Sequence, residues 1–383
     1  MVNRPIFYID PQSSGNLAAY DHGVLSNVKQ SVYYICSRYY DYHSMPSHVR
    51  CFPIFSYNRL GNPTLKLMSY LLSMLRLAWM IVRYKPSLLH VQWFRVPYLD
   101  YGFYWIVKHL IKVPLLYTAH NVLPHNTGKR HQQVFQKAYL MFDSIIVHAK
   151  KTKKEIQESF TIEEAKIHVI YHGVLTIPYN EQKLRKETPE LNKEYNFDGC
   201  MVLTSLGEQS AYKGIDIVSK IWKETSELNQ NSNIKLVIAG RIVGIDLSHI
   251  SSYNNVIIKD KRISNEEYIY LLRHTDVYLL PYRKISQSGA LFTAMAEHIP
   301  MLVSDAGGLA EPLKIGKIGW KVKSDDAESL KQMLLYLINH HKEVKAIKED
   351  ESIWEKVCEV YSWDNISNQT DALYDNIIKS SKR

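Results

Sequence analysis

The sequence predicts an α/β protein with two doubly wound parallel-sheet domains, on three observations. Short apolar runs alternate with helical stretches along most of the chain. The segment DVYLLPYRKISQSGALFTAMAEHIPMLVSDAGGLAEP, from Asp276 to Pro312, reads as strand, loop, helix, strand, loop, helix. Its strands are apolar throughout, as a strand covered on both faces must be. The length of 383 residues, 46% of them apolar, suits two cores rather than one.

In the first half the expected strands are Pro5–Ile9, Ser31–Ser37, Arg50–Phe55, Leu88–Trp93, Pro114–His120, Ser144–Ala149 and Lys166–Gly173. Pro53 weakens the third, because it cannot donate to a ladder. Helical patterns lie between most of them, and that alternation implies a parallel sheet. Residues 1–178 form the first expected domain. A polar linker, Tyr179–Gly199, opens the second, which runs to residue 360 with MVLTSLG (Met201–Gly207) as its first strand. The four cysteines (Cys36, Cys51, Cys200, Cys358) show no pairing pattern and read as reduced thiols. MVNRPIFYID runs straight into a strand, so no leader is expected and the location predicted is cytoplasmic.

Ligands of such sheets bind at the carboxyl ends of strands, which directs attention to the loops there. After the first strand, Ser13, Ser14, Gly15 and Asn16 precede a helix and are candidates to grip an acceptor or a phosphate. No G-x-G-x-x-G is present, so a standard dinucleotide site is unsupported. After the fourth, Gln92, Trp93, Phe94 and Arg95 suggest an aromatic and cationic ledge for a sugar face. After the fifth comes TAHNVLPHN, with His120, Asn121 and His125. Two histidines this close could begin a zinc site, but no third ligand is spaced to join them, so no metal is assigned. In the second half, Ser286, Gln287, Ser288 and Gly289 at a helix mouth suit an anion, because backbone N–H groups and the helix dipole point there. Arg283 and Lys284 add charge beside it; an ordinary N-capped helix is the plainer alternative.

Charge is uneven. Residues 1–175 hold 20 Lys and Arg against 9 Asp and Glu, whereas the rest holds 27 against 29. A basic half suggests an anionic partner: nucleic acid, a membrane surface or a lipid diphosphate. Lys66–Lys85 and Val96–Lys112 are strongly apolar with basic interruptions. Buried crossover helices are the first expectation, and a partly exposed face on anionic lipid is the alternative.

The Asp276–Pro312 segment resembles the nucleotide-sugar site of GT-B glycosyltransferases of the retaining family 4. Gly289, Ala294, Met295, Ala296, Pro300, Ser304, Gly307, Gly308 and Glu311 match its pattern. Thr293 stands where the family has its ribose-binding glutamate, and Ile285 or Ser286 where it has another, so the chain resembles a QSG-variant subgroup. EQSAYKG matches the family's G-x-x-R-x-x-K-G at Lys213 and Gly214, with Ser210 at the arginine position. TAHNVLPHN is similar to its T-x-H motif, and the closing YSWDNISNQTDALY to its last helix.

The resemblance implies two Rossmann-like domains facing a cleft, with residues 361–383 crossing back to the first and Trp363 packed at the crossing. It implies donor contacts from Lys213, Gly214, Gln287, Ser288 and Gly289, with Arg241 and Arg283 supplying the missing charge. His120 would sit at the transferred sugar. Ser14, Gly15, Asn16, Trp93, Asn121 and His125 would face the acceptor. The implied reaction moves a sugar, with retention, from a UDP- or GDP-linked donor to a glycan or polyprenyl-diphosphate-linked acceptor. It belongs to surface polysaccharide biosynthesis, at the inner face of the cell membrane. No metal or other cofactor is implied. The rival reading is a non-catalytic GT-B module that binds sugar or supports a partner transferase. Nucleic-acid binding has no motif to support it.

Overall fold

In the computed structural model, residues 4–40, 44–123 and 130–381 are described. The chain forms two units, Met1–Gly173 with Tyr361–Arg383, and Val174–Val360.

The first unit holds β1 (Ile6–Ile9), α1 (Asn16–Asn27), β2 (Val32–Ser37), β3 (Val49–Phe55), α2 (Pro63–Tyr84), β4 (Leu88–Val91) and α3 (Pro97–Ile106). It continues through β5 (Leu115–Ala119), α4 (Gln132–Met141), β6 (Ser144–Val147), α5 (Lys150–Ser159) and β7 (Ile167–Val169). All seven strands pair in parallel, in the order β3-β2-β1-β4-β5-β6-β7. The chain moves outward from β1 to β3 and then returns to the other side of β1. The loops after β1 and β4 therefore diverge at the switch point, where α/β sheets bind ligands. Pro53 is tolerated because β3 is an edge strand.

Side chains of β1 alternate between two cores. Phe7 and Ile9 pack with Met74 and Leu77 of α2, Tyr104 of α3, Phe135 of α4 and Ile156 of α5. Ile6 and Tyr8 pack with Tyr20 and Val24 of α1 and with Ile366, Leu373 and Tyr374 of the closing helix, Trp363–Ser380. Ser362 starts that helix by accepting the Asn365 N–H. The Trp363 indole lies between two glycines: a Cβ added to Gly23 would meet it at 2.3 Å, and one at Gly173 at 2.4 Å.

The second unit holds α6 (Glu181–Tyr195), β8 (Met201–Leu206), β9 (Gln209–Ser210), α7 (Ile215–Glu224), α8 (Ser226–Asn229), β10 (Ile234–Ala239), β11 (Ile242–Val243) and β12 (Val256–Lys259). There follow α9 (Asn265–His274), β13 (Val277–Leu280), α10 (Gly289–Ala296), β14 (Met301–Ser304), β15 (Gly319–Val322), α11 (Ala327–Asn339), α12 (His341–Glu349) and α13 (Glu351–Val360). Its six-stranded sheet runs β12-β10-β8-β13-β14-β15, all parallel, so the switch point lies between β8 and β13.

Two expectations need correction. The polar stretch Tyr179–Gly199 is no linker: most of it is α6, capped by Asn180, with Leu184, Leu191 and Tyr195 buried. Its charged outer face hides three widely spaced anchors. The expected strand Lys166–Gly173 keeps only three paired residues, and the units divide after Gly173, not at 178.

Gly23→Ala is expected to destabilise the protein by about 1–3 kcal/mol through overpacking against Trp363. The check is thermal melting; a Gly23→Ala/Trp363→Leu double variant should recover part of the loss.

Candidate active site

In the first unit the loop after β1 folds around a buried carboxylate. Asp10 accepts the N–H groups of Gln12 and Ser13, both at 2.8 Å. Ser13 Oγ donates to the Asp10 carbonyl and accepts the Ser37 N–H at 2.7 Å. Ser14 and Gly15 are left exposed, and α1 starts at Gly15 (φ 58°) with no side-chain cap and open space at its Cα. The Asn16 side chain and His125 lie outside the described residues.

At the end of β5, His120 is half-buried in a row of rings. Tyr20 meets it edge-on at 5.2 Å, His148 lies at 5.0 Å and Trp93 at 6.4 Å. His148 Nδ1 donates to the Ile170 carbonyl at 2.9 Å, which leaves its Nε2 to accept from His120 Nδ1 at 3.3 Å. His120 Nε2 then faces the Gln92 side-chain amide, 3.1 Å from the Oε1 position. A neutral ring needs the amide NH2 there, whereas an oxygen there requires a second proton on the ring. The wiring continues from Gln92 to His90 (2.8 Å), and from His90 to Thr118 and to Tyr374 of the closing helix, both at 2.7 Å. Burial holds His120 well below the ordinary histidine range, aided by His148 and His172 nearby. It also holds His148 at about 4 and His90 at about 3. The rings are thus neutral near pH 7 and act as hydrogen-bonding groups.

Of the expected ledge, Trp93 stays half-buried and Arg95 exposed, but Gln92 turns into this network and Phe94 into the core, stacked on Tyr104 at 5.7 Å. Asn121 follows His120 in the turn and is half-buried. Sequence reasoning missed His148, although SIIVHA ends a neighbouring strand with a histidine.

In the second unit three loops converge beyond the switch point. Gly214 (φ 71°) starts α7 with its Cα against the Pro281 carbonyl, where an added Cβ would lie 2.1 Å from the oxygen. Gly307 (φ 49°) is held as closely by the Ile285 carbonyl. Only glycine fits either place. Beside them Lys213 is 9% exposed, with Nζ 5.8 Å from the Tyr282 ring. Burial lowers its amine to about 8. Ser288 precedes α10 without capping it; its hydroxyl donates to Tyr282 Oη at 3.3 Å. The first turn of α10, from Gly289, therefore keeps backbone N–H groups without a side-chain partner. Gln287 lies half-buried in the same loop.

Two expected cations prove to be spent within the protein. Arg283 donates to both Asp216 oxygens at 2.7 Å, to Asp325 at 2.8 Å and to the Ala211 carbonyl. It is a clamp between loops, not a free phosphate ligand. Arg241 is 70% exposed at its side chain and paired with Glu208. The acidic first turn of α7, at Asp216, is the signal that anticipates the clamp. Thr293 turns its hydroxyl to the Gly289 carbonyl at 3.0 Å and so is used within α10.

Two family models match the chain: Glycosyltransferase Family 4 over residues 29–176 and Glycosyl transferases group 1 over residues 200–340. An uncharacterized glycosyltransferase of Methanocaldococcus jannaschii is 23% identical over 282 residues, covering 70% of each chain. A D-inositol 3-phosphate glycosyltransferase of Corynebacterium efficiens is 21% identical over 296 residues, covering 70% of this chain and 67% of that one. Among solved structures, sucrose-phosphate synthase of Thermosynechococcus elongatus superposes with a TM-score of 0.74 at 16% identity, covering 98% of this chain and all of that one. Anabaena HepE in complex with UDP gives 0.69 at 12% identity, covering 97% and 100%. With both sheets parallel and wound as above, the chain belongs to the family 4, or group 1, glycosyltransferases and has the GT-B fold.

Proposed function

We propose that this glycosyltransferase moves a hexosyl group, with retention, from a UDP- or GDP-linked donor to a hydroxyl of a glycan or polyprenyl-linked acceptor. The process proposed is surface polysaccharide assembly on the cytoplasmic side. The observation that carries the donor assignment is the buried Lys213 amine beside the uncapped start of α10. A largely buried ammonium and a row of helix N–H groups offer a diphosphate preorganised positive charge. HepE, which shares the fold, has been solved with UDP and with UDP-glucose.

In this reading Lys213 and the amides of Gly289 and its neighbours stabilise the leaving diphosphate. The departing phosphate takes the acceptor proton, so no strong side-chain base is needed. His120, held neutral by burial and oriented by His148 and Gln92, hydrogen-bonds the sugar. Arg283 positions the donor loop. The charge it would have supplied is tied up, which leaves Lys213 as the principal cation in this account.

The first test is a thermal-shift screen against UDP- and GDP-sugars and the free nucleotides, since ligands of the native state raise its melting temperature. A hit followed by transfer supports the proposal. Millimolar donor without shift or turnover would favour the non-catalytic sugar-binding module.

Lys213 yields a pH signature. Its folded-state value of about 8 lies below the ordinary lysine value, so the ammonium costs stability at neutral pH, and that cost fades as pH rises from 8 toward 10.5. Lys213→Met should therefore melt higher than wild type at pH 7, with the gap closing in alkali. It should bind nucleotide diphosphate roughly 10- to 100-fold more weakly. Wild-type affinity should hold level to about pH 8 and decline above it, a decline absent from the variant. Calorimetric titration across pH reads both.

His120→Ala is expected to lower kcat on the order of a hundredfold with little change in melting temperature. Full activity in that variant would remove His120 from the reaction. Arg283→Ala should lose about 2 kcal/mol of stability and weaken donor binding with it, because its partially exposed pairs hold two loops together. Chemical denaturation and the same titration provide the check.

A further inference from the structure

We propose that the outer face of α2, together with the helical segment after β4, is a docking surface for an anionic lipid bilayer. Seventeen large hydrophobic side chains are exposed among the described residues, and thirteen of them lie between Leu65 and Ile111. On α2, Tyr70, Met74, Leu77 and Ile81 form the buried stripe against the sheet. The opposite stripe, where an ordinary surface helix carries polar residues, reads Leu65, Met68, Leu72, Leu75, Trp79 and Val82. Leu72 is 66% exposed, Leu75 68% and Trp79 60%. The second element is α3, prolonged by a wider turn over Val107–Ile111. It exposes Trp105, Ile106 and Leu110 on the side of the sheet that α2 covers. The two are joined where the Tyr70 hydroxyl donates to Asp100 at 2.7 Å.

Charge selects the occupant. From Pro63 to Lys112 there are seven Lys and Arg and one carboxylate, Asp100, which is buried and bound by Tyr70 and the Val96 N–H. Arg76 and Arg83 are exposed one turn beyond Leu72 and Trp79, along one edge of the apolar stripe, and Lys85 and Lys112 are exposed at the helix ends. Leucines with a cationic border fit acyl chains beneath anionic headgroups. A second copy of the chain would bring like charges together across a two-fold axis. The 22-residue α2 is long and apolar enough to cross a bilayer. Its inner stripe, however, is fixed to the sheet as the crossover from β3 to β4, so it lies along the surface instead.

Co-sedimentation of the full chain with vesicles tests this without using turnover, so its outcome is separable from the transferase reading. Vesicles containing about a third phosphatidylglycerol should bind the protein and pure phosphatidylcholine vesicles should not, with binding weakened in ~1 M salt. Leu72→Glu/Leu75→Glu should weaken binding on the order of a hundredfold, and Arg76→Glu/Arg83→Glu tenfold or more. All four side chains are exposed, so melting temperatures should stay near wild type. No binding to anionic vesicles, or binding by both variants equal to that of wild type, would overturn the proposal. So would a vesicle-free dimer, seen by light scattering, that Leu72→Glu/Leu75→Glu dissociates.

Discussion

The second unit's site depends on one ion-paired clamp. Arg283 reaches from the loop after β13 to Asp216 in the first turn of α7, to the Ala211 carbonyl and to Asp325. Its own N–H bonds the Tyr212 carbonyl at 2.8 Å. These contacts hold the Pro281 carbonyl against Gly214, and that approach sets Lys213 beside Tyr282. Tyr282 in turn occupies the Ser288 hydroxyl, which would otherwise cap α10. A planar fork can satisfy two carboxylates and a carbonyl at once, a task for which lysine has the wrong geometry. The cation that the sequence offers to a phosphate is consumed in holding these loops together, and in the proposed reaction it is the buried Lys213 that meets the donor.

In the first unit the corresponding constraint is the row of strand ends. Parallel strands bring Gln92, His120, His148 and His172 to one edge from four segments distant in sequence. Burial is the largest influence on His120 and His148, so the rings stay neutral. Such an array suits hydrogen bonding to a sugar better than strong base catalysis, in keeping with the proposed reaction, in which the leaving group takes the proton. The closing helix belongs to this network through Tyr374 and fixes α1 through Trp363, so the C-terminal residues support the site without lying in it.

Function in this account is divided between two surfaces of different physical character. The strand-end loops are polar and preorganised. The outer face of α2 is apolar and exposed, and the basic excess of the first half is concentrated beside it. The proposed reaction, with a soluble donor and a membrane-held acceptor, would use both surfaces.

The sequence by itself determined the class of the fold. Period-free apolar runs such as VYLLP and LLHV suit strands covered on both faces, and their alternation with helices leaves a parallel sheet as the simplest arrangement. It also marked the positions whose local chemistry is self-contained: Gly214 and Gly307, which need φ > 0, Lys213 beside them, and His120 at a strand end. Only the tertiary structure decided which charges are free. Arg283 and Lys213 look alike in sequence, and the difference between them is Asp216, 67 residues away from the first and three from the second. Likewise His148 and Gln92 became partners of His120 through strand order, a property no local pattern encodes. The exposure of α2 was open for the same reason: a helix apolar on all sides has two faces that suit a core, and the sheet could cover only one.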